Sequence, residues 1–151
     1  MIEKGGRPFS SVEEMDRELL RRWNERVSPE DLVWILGDVV FGSLRQQKAV
    51  LSQLNGQKRL IVGSHDYHPE FLKECGFLDY TACEAVTIAG ARVYLVHEPP
   101  PFHEPIPLDC RFCLHGHVHN RQSPRPFLNV AVDLHGFRPL SETEVAELLG
   151  I

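Results

Sequence analysis

The chain has 151 residues, 42% hydrophobic and 25% charged, a balance that supports one globular core and argues against disorder. Its formal net charge of −5, with no run of Lys or Arg, excludes a surface built to track nucleic-acid phosphates. Apolar runs such as 32–36 and 93–96 are only strand-length and the N-terminus lacks the apolar segment of a secretory signal, so neither a membrane span nor export is expected.

In chain order, Ser11-Val12-Glu13-Glu14 has the spacing of a capping box, and Val12, Met15, Leu19, Trp23 and Val27 follow at helical spacing. This predicts a helix over residues 11–26, with Trp23 on its core side. A turn at 28–31 leads to a buried strand over 32–36, which holds Trp34 and ends at Gly37-Asp38. A second helix is expected over 44–54, stopped by Asn55-Gly56. A strand at 59–62 runs into Gly63-Ser64-His65-Asp66, and a short helix at 69–74 opens with a proline.

Residues 84–88 and 92–96 flank Ala89-Gly90-Ala91 as a hairpin, and the second strand ends at His97. A proline-rich loop over 99–107, with Phe102 and His103 facing a pocket, precedes a strand at 111–114. That strand runs into His115-Gly116-His117-Val118-His119. A further strand is expected at 127–132, and a second capping box, Ser141 to Glu144, opens a terminal helix reaching about residue 149. With no repeat and no linker, residues 1–151 are expected to form a single α/β domain with a mixed sheet or two packed sheets.

One pattern recurs: a short apolar strand, a glycine or turn, then Asp or His, at Asp38, His65-Asp66, His97 and His117/His119. Loops at strand ends gather ligands in α/β sheets, so these residues are candidates for one site, and imidazoles with a carboxylate suit Zn, Mn or Fe. His68 and His103 stand beside prolines and His135 near the end of the chain, where solvated readings apply; His115 is either a supporting partner of the site or incidental. The cysteines, Cys75, Cys83, Cys110 and Cys113, read as free thiols of a reducing, cytoplasmic protein. Cys110 and Cys113 have the spacing of half a zinc knuckle, but Cys75 and Cys83 are too far apart to complete it.

The ordered set Gly37-Asp38, Gly63-Ser64-His65-Asp66, His97 and Gly116-His117-Val118-His119 resembles the calcineurin-like metallophosphoesterases, whose motifs run D-x-H, G-D, G-N-H-D, H and G-H-x-H. The resemblance covers nearly the whole chain, and Arg7-Pro8-Phe9, Glu14-Met15-Asp16 and Trp23-Asn24 are similar to a small bacterial and phage subgroup. It implies an α/β/β/α sandwich of two packed mixed sheets lacking its first strand, and hydrolysis of a phosphomonoester or phosphodiester by a metal-activated water. The implied substrate is a phosphorylated small molecule or nucleotide, and the implied cofactor is one or two divalent ions of Mn, Fe or Zn.

By the same resemblance Asp38 bridges two metals. His119 serves the first; Ser64, His97 and His117 serve the second. His65 is the implied general acid, with Asp66 orienting it or raising its pKa. Two departures stand out: no D-x-H precedes Asp38, and Ser64 replaces the family's Asn. Unequal metal sites are therefore expected, the one at Asp38, His97 and His117 being the better supplied. An unpaired edge on strand 32–36, favouring self-association, is expected as well. Four readings stay open: a working phosphohydrolase, a binding module on the same fold, a short form of an active enzyme whose start lies upstream, and a zinc-stapled interaction domain on the cysteines.

Overall fold

The computed structural model describes residues 6–39, 42–66, 69–99 and 105–151; His68, Phe102 and His103 lie outside these. Helix α1, Val12–Asn24, starts where the hydroxyl of Ser11 accepts the Glu14 N–H. The expected capping box is only half made. The Glu14 carboxylate reaches past Ser11 and accepts from the N–H (2.7 Å) and hydroxyl of Ser10. The other end of α1 is tied down at long range, with Trp23 Nε1 donating to the Asn55 carbonyl (2.9 Å) and Asn24 Oδ1 accepting the Asn55 N–H (2.8 Å).

Strand β1, Leu32–Ile35, is followed by α2, Leu44–Leu51, which has a full capping box between Ser43 and Gln46. Helix α2 ends before Asn55-Gly56, because those residues shape the entry to β2, Gln57–Ile61, instead. Gly56 has φ +91° there, and a Cβ would sit 2.7 Å from Val27 Cγ1. Helix α3, Pro69–Glu74, leads to β3, Phe77–Thr81, a strand that sequence reasoning missed. Its Asp79 breaks the apolar run, and among the described residues its only strand neighbour is β2.

Strands β4, Cys83–Ile88, and β5, Ala91–Val96, form the expected hairpin. Ile88 faces Ala91 across a two-residue turn in which Ala89 and Gly90 both have positive φ. Strand β6, Phe112–His115, and β7, Phe127–Asn129, complete the second sheet, followed by a 3-10 turn at Val132–Leu134. Helix α4, Glu142–Leu149, has its capping box intact and ends on a left-handed Gly150.

The strands make two sheets, in the orders β1-β2-β3 and β4-β5-β6-β7. The four-stranded sheet is mixed. The three-stranded one departs from the expectation of two mixed sheets: it is parallel throughout, because helices α2 and α3 carry each crossover. Among the described residues β1 pairs only with β2.

One core cluster joins Ile61 of the first sheet to Val93, Leu95, Phe112 and Leu114 of the second and to Val145 and Leu149 of α4, with Trp34 packed against it. The opposite face of the first sheet buries Leu60 against Leu51 and Leu72 of α2 and α3. Among the described residues, no helix is long and apolar enough to cross a membrane.

The N-terminal segment is held by a bidentate pair: Arg7 Nε to Asp133 Oδ1 at 2.7 Å and Arg7 Nη2 to Asp133 Oδ2 at 2.9 Å. The two side chains are only 11% and 6% exposed. Burial pushes the Asp133 carboxyl up, but the hydrogen bond and charge of Arg7, with a smaller contribution from His119, hold it below the usual carboxylate range. Breaking such a buried pair costs about 3–5 kcal/mol, so Asp133→Asn should lose stability of that order near neutral pH. Because the native pKa is depressed, the contribution of the ionised carboxyl is complete above the unfolded value of about 3.9 and fades as pH falls through the native one. Urea midpoints of wild type and variant should therefore converge below about pH 4.

Candidate metal centre

The candidate residues follow the carboxyl ends of β1, β2, β5 and β6, where the chain turns out of each strand. The first two loops interlock through carboxylates. Asp66 Oδ2 accepts the N–H groups of Asp38 (2.9 Å) and Gly63 (2.7 Å), and its Oδ1 accepts that of Val39 (3.0 Å). In return, Asp38 Oδ1 accepts the His65 N–H at 2.9 Å. Both Asp66 oxygens thus hold loop backbone, a task that sequence reasoning did not assign to it.

The loops approach too closely for side chains at their glycines. A Cβ at Gly63 would lie 2.5 Å from Asp38 Oδ1, and one at Gly37, whose φ is +83°, would collide with the His97 ring. Asp38, His117 and His119 have φ of +52°, +63° and +50°. Left-handed backbone at a non-glycine costs about 1–3 kcal/mol per residue and gathers at functional sites.

His97 is 4% exposed and carries the sharpest local signal. Its Nδ1 lies 2.7 Å from the carbonyl of Leu36, which can only accept, so Nδ1 bears the proton. In the neutral ring the lone pair then falls on Nε2, which is buried and without a hydrogen-bond partner. It faces Asp38 Oδ2 at 3.4 Å. Two donors on one tetrahedral ion with bonds of about 2.1 Å stand roughly 3.4 Å apart. The ring of His117 packs edge-on at 5.2 Å between centroids, and donor atoms of Asp38, His97 and His117 all lie within 4.8 Å of one another. Two imidazoles and a carboxylate around an orphaned buried nitrogen can hold a metal ion.

The other predicted residues stand outside this trio. Ser64 and His65 are exposed, Ser64 lining a cleft of about 160 Å³ with Val62, Ala82, Val96, His97 and Glu98. His119 is outside the group of donor atoms and lies near enough to Asp133 to help lower the pKa of that carboxyl.

His115 is a supporting residue: fully buried, it donates from Nδ1 to the Gly116 carbonyl (2.9 Å) and accepts from Ser123 Oγ at Nε2 (2.8 Å). Burial holds its pKa below the usual histidine value. His135 is not a free surface residue, since its Nε2 meets the Asn129 carbonyl at 2.8 Å.

Asn129, 2% exposed, is a supporting residue that sequence reasoning missed. Its amide donates to the carbonyls of His119 (2.7 Å) and Arg121 (2.8 Å), and its Oδ1 accepts the Ala131 N–H (2.9 Å). It ends a short apolar strand, the pattern that marked the other site residues, but with an amide where Asp and His were sought.

The four cysteines are free, and none belongs to a group of three potential ligands among the described residues. Burial pushes the Cys113 thiol up to about 12, which disfavours the thiolate that zinc requires.

The carboxylate clamp makes a prediction. Asp66→Ala leaves three N–H groups without their acceptor, at about 1–3 kcal/mol for each that stays buried. Thermal denaturation should show a clear loss of stability, and metal titration a loss of affinity, although Asp66 is outside the donor trio. Asp66→Asn, which keeps one acceptor oxygen, should lose less of both.

No protein-family model matches the chain. Its sequence is 47% identical to the gene 66 protein of Mycobacterium phage D29 over 60 residues, 37% of this chain and 30% of the phage protein. Its fold is similar to the crystal structure of AQ665, a protein of unknown function from Aquifex aeolicus, with a TM-score of 0.76 and 26% identity over 97% of this chain and 90% of that one. It is also 30% identical to the uncharacterized protein MJ1445 of Methanocaldococcus jannaschii over 159 aligned positions, 99% of this chain and 83% of that protein. The chain belongs to the family of MJ1445.

Proposed function

We propose that this protein is a metal-dependent phosphoesterase of the calcineurin-like type, its two sheets and helices forming the α/β/β/α sandwich of that superfamily. The observation that carries the reading is the buried Nε2 of His97, held as a lone pair by the Leu36 carbonyl and facing Asp38 without a partner of its own. A hydrocarbon-lined histidine would not need a carboxylate at that position, and an ordinary buried histidine satisfies both nitrogens, as His115 does.

Asp38, His97 and His117 would hold one divalent ion, of Mn, Fe or Zn. When bound, such an ion supplies Lewis-acid polarisation of a phosphoryl oxygen and acidifies water. Asp66, accepting the N–H groups of Asp38, Val39 and Gly63, fixes the backbone from which Asp38 projects. His65, exposed and next in sequence to the cleft residue Ser64, would give its proton to the leaving oxygen of a phosphorylated small molecule or nucleotide. His119, apart from the trio and beside Asp133, makes a second ion weakly held at best.

Elemental analysis and competition with a chromophoric chelator test the reading. About one tightly bound ion per chain is expected, lost in His97→Ala and largely retained in His119→Ala; two tight ions, or equal losses, would contradict it. With aryl phosphodiesters, His65→Asn should lower turnover about 10²–10⁴-fold, more for poor leaving groups than for good ones. Equal losses across leaving groups would remove the acid role from His65, and an inert wild-type chain that holds its ion would favour a binding module instead.

A further inference from the structure

The donor trio of Asp38, His97 and His117 leaves an ion short of protein ligands, and its two imidazoles are neutral as donors. Asp38 alone then offsets half of a divalent charge. Ser64, on the same cleft, offers only a neutral hydroxyl, which is outside the usual nitrogen, sulfur and carboxylate donors.

A second carboxylate stands nearby. Strand β5 ends at Val96, and the chain bends at the next two residues. His97 and Glu98 therefore both line the cleft that Ser64 shares, whereas successive residues of a continuing strand would point to opposite faces. Glu98 Oε1 is 3.7 Å from His117 Nδ1. Two donors sharing an ion at about 2.1 Å are separated by roughly 3.0 Å at a right angle and 3.4 Å in a tetrahedron. The carboxylate stands outside the group whose donor atoms all lie within 4.8 Å of one another, so it reaches the ion by a change of side-chain rotamer and not from its present position. Glu98 is 33% exposed, and among the described residues no Lys or Arg forms an ion pair with it.

We infer that Glu98 is a further protein ligand of the ion held by Asp38, His97 and His117, filling the coordination position that Ser64 leaves open. This rests on the metal site proposed above. With Glu98 bound, two carboxylates balance a divalent ion. The site then becomes a two-His, two-carboxylate centre, a harder oxygen-richer set that favours Mn or Fe relative to Zn when compared with the trio alone.

The test uses the whole chain stripped of metal, titrated with Co(II), Mn(II) and Zn(II) against a chromophoric chelator, with circular dichroism to verify folding. Glu98→Ala should weaken Mn(II) binding by about 10–100-fold, the range that loss of a metal-supporting group produces, and weaken Zn(II) binding less. Its Co(II) absorption bands should shift, because a donor has left the ion. Ser64→Asn in the Glu98→Ala background, which lengthens the neighbouring side chain and supplies an amide oxygen, should restore part of the Mn(II) affinity.

Wild-type protein that binds no ion, or binds one that His97→Ala holds equally well, overturns the metal site and this inference together. Wild type that binds through His97, with Glu98→Ala unchanged in affinity and Co(II) spectrum, overturns this inference alone. A loss of affinity with an unchanged Co(II) spectrum also overturns it, since the carboxylate would then act on His117 from outside the ion's coordination shell.

Discussion

Both oxygens of the Asp66 carboxylate are committed to backbone N–H groups, and the geometry of the site depends on that commitment. The bonds draw the loop after β1 and the loop after β2 into one unit, with Asp38 Oδ1 returning a bond to the His65 N–H. Charge-assisted bonds of this kind are shorter and stronger than neutral ones. They offset the local cost of left-handed backbone at Asp38 and leave its second oxygen free to face His97. Glycine at 37 and 63 is the steric condition for this arrangement, because any larger residue would push the two loops apart.

A second set of contacts joins the two sheets at the same end. The Leu36 carbonyl, just beyond β1 in the first sheet, accepts from His97 at the end of β5 in the second. The Gly116 N–H donates to the His97 carbonyl at 3.1 Å, and a Cβ on Gly116 would stand only 3.1 Å from the Leu36 oxygen. The ends of β1, β5 and β6 thus meet at backbone distance, below a shared apolar core that contributes Ile61, Leu95 and Leu114. That core determines how the sheets sit, and the polar contacts determine where the donor atoms point. Strained backbone at Asp38, His117 and His119 persists because both constraints act on it together.

The site is lopsided, and the reason is visible in its surroundings. On one side lie the buried His97, the cleft with Ser64 and the carboxylate of Glu98. On the other, His119 neighbours an Arg7–Asp133 pair that has already neutralised its own charges. A cation placed there would meet a carboxylate already engaged by guanidinium, whereas one placed beside His97 would meet a lone pair with no competitor.

The sequence by itself determined which residue types stand at the strand ends. It also determined where most elements lie, because apolar periodicity and capping residues are local: α4 and its box at Ser141 and Glu144 fall within a residue or so of the expected bounds. Strand β3 was not legible, since its existence depends on pairing with β2 and not on its own composition. Nor was the backbone-holding role of Asp66, because two of its N–H donors come from residues 28 and 27 positions away. Asn129 and the Leu36 carbonyl were hidden for the same reason. Backbone acceptors leave no mark in a sequence, and an amide at a strand end has many ordinary uses. Only the tertiary structure decided which candidates converge, drawing Asp38, His97 and His117 together and leaving His119 outside their group, because convergence depends on how the two sheets pack over residues far apart in the chain.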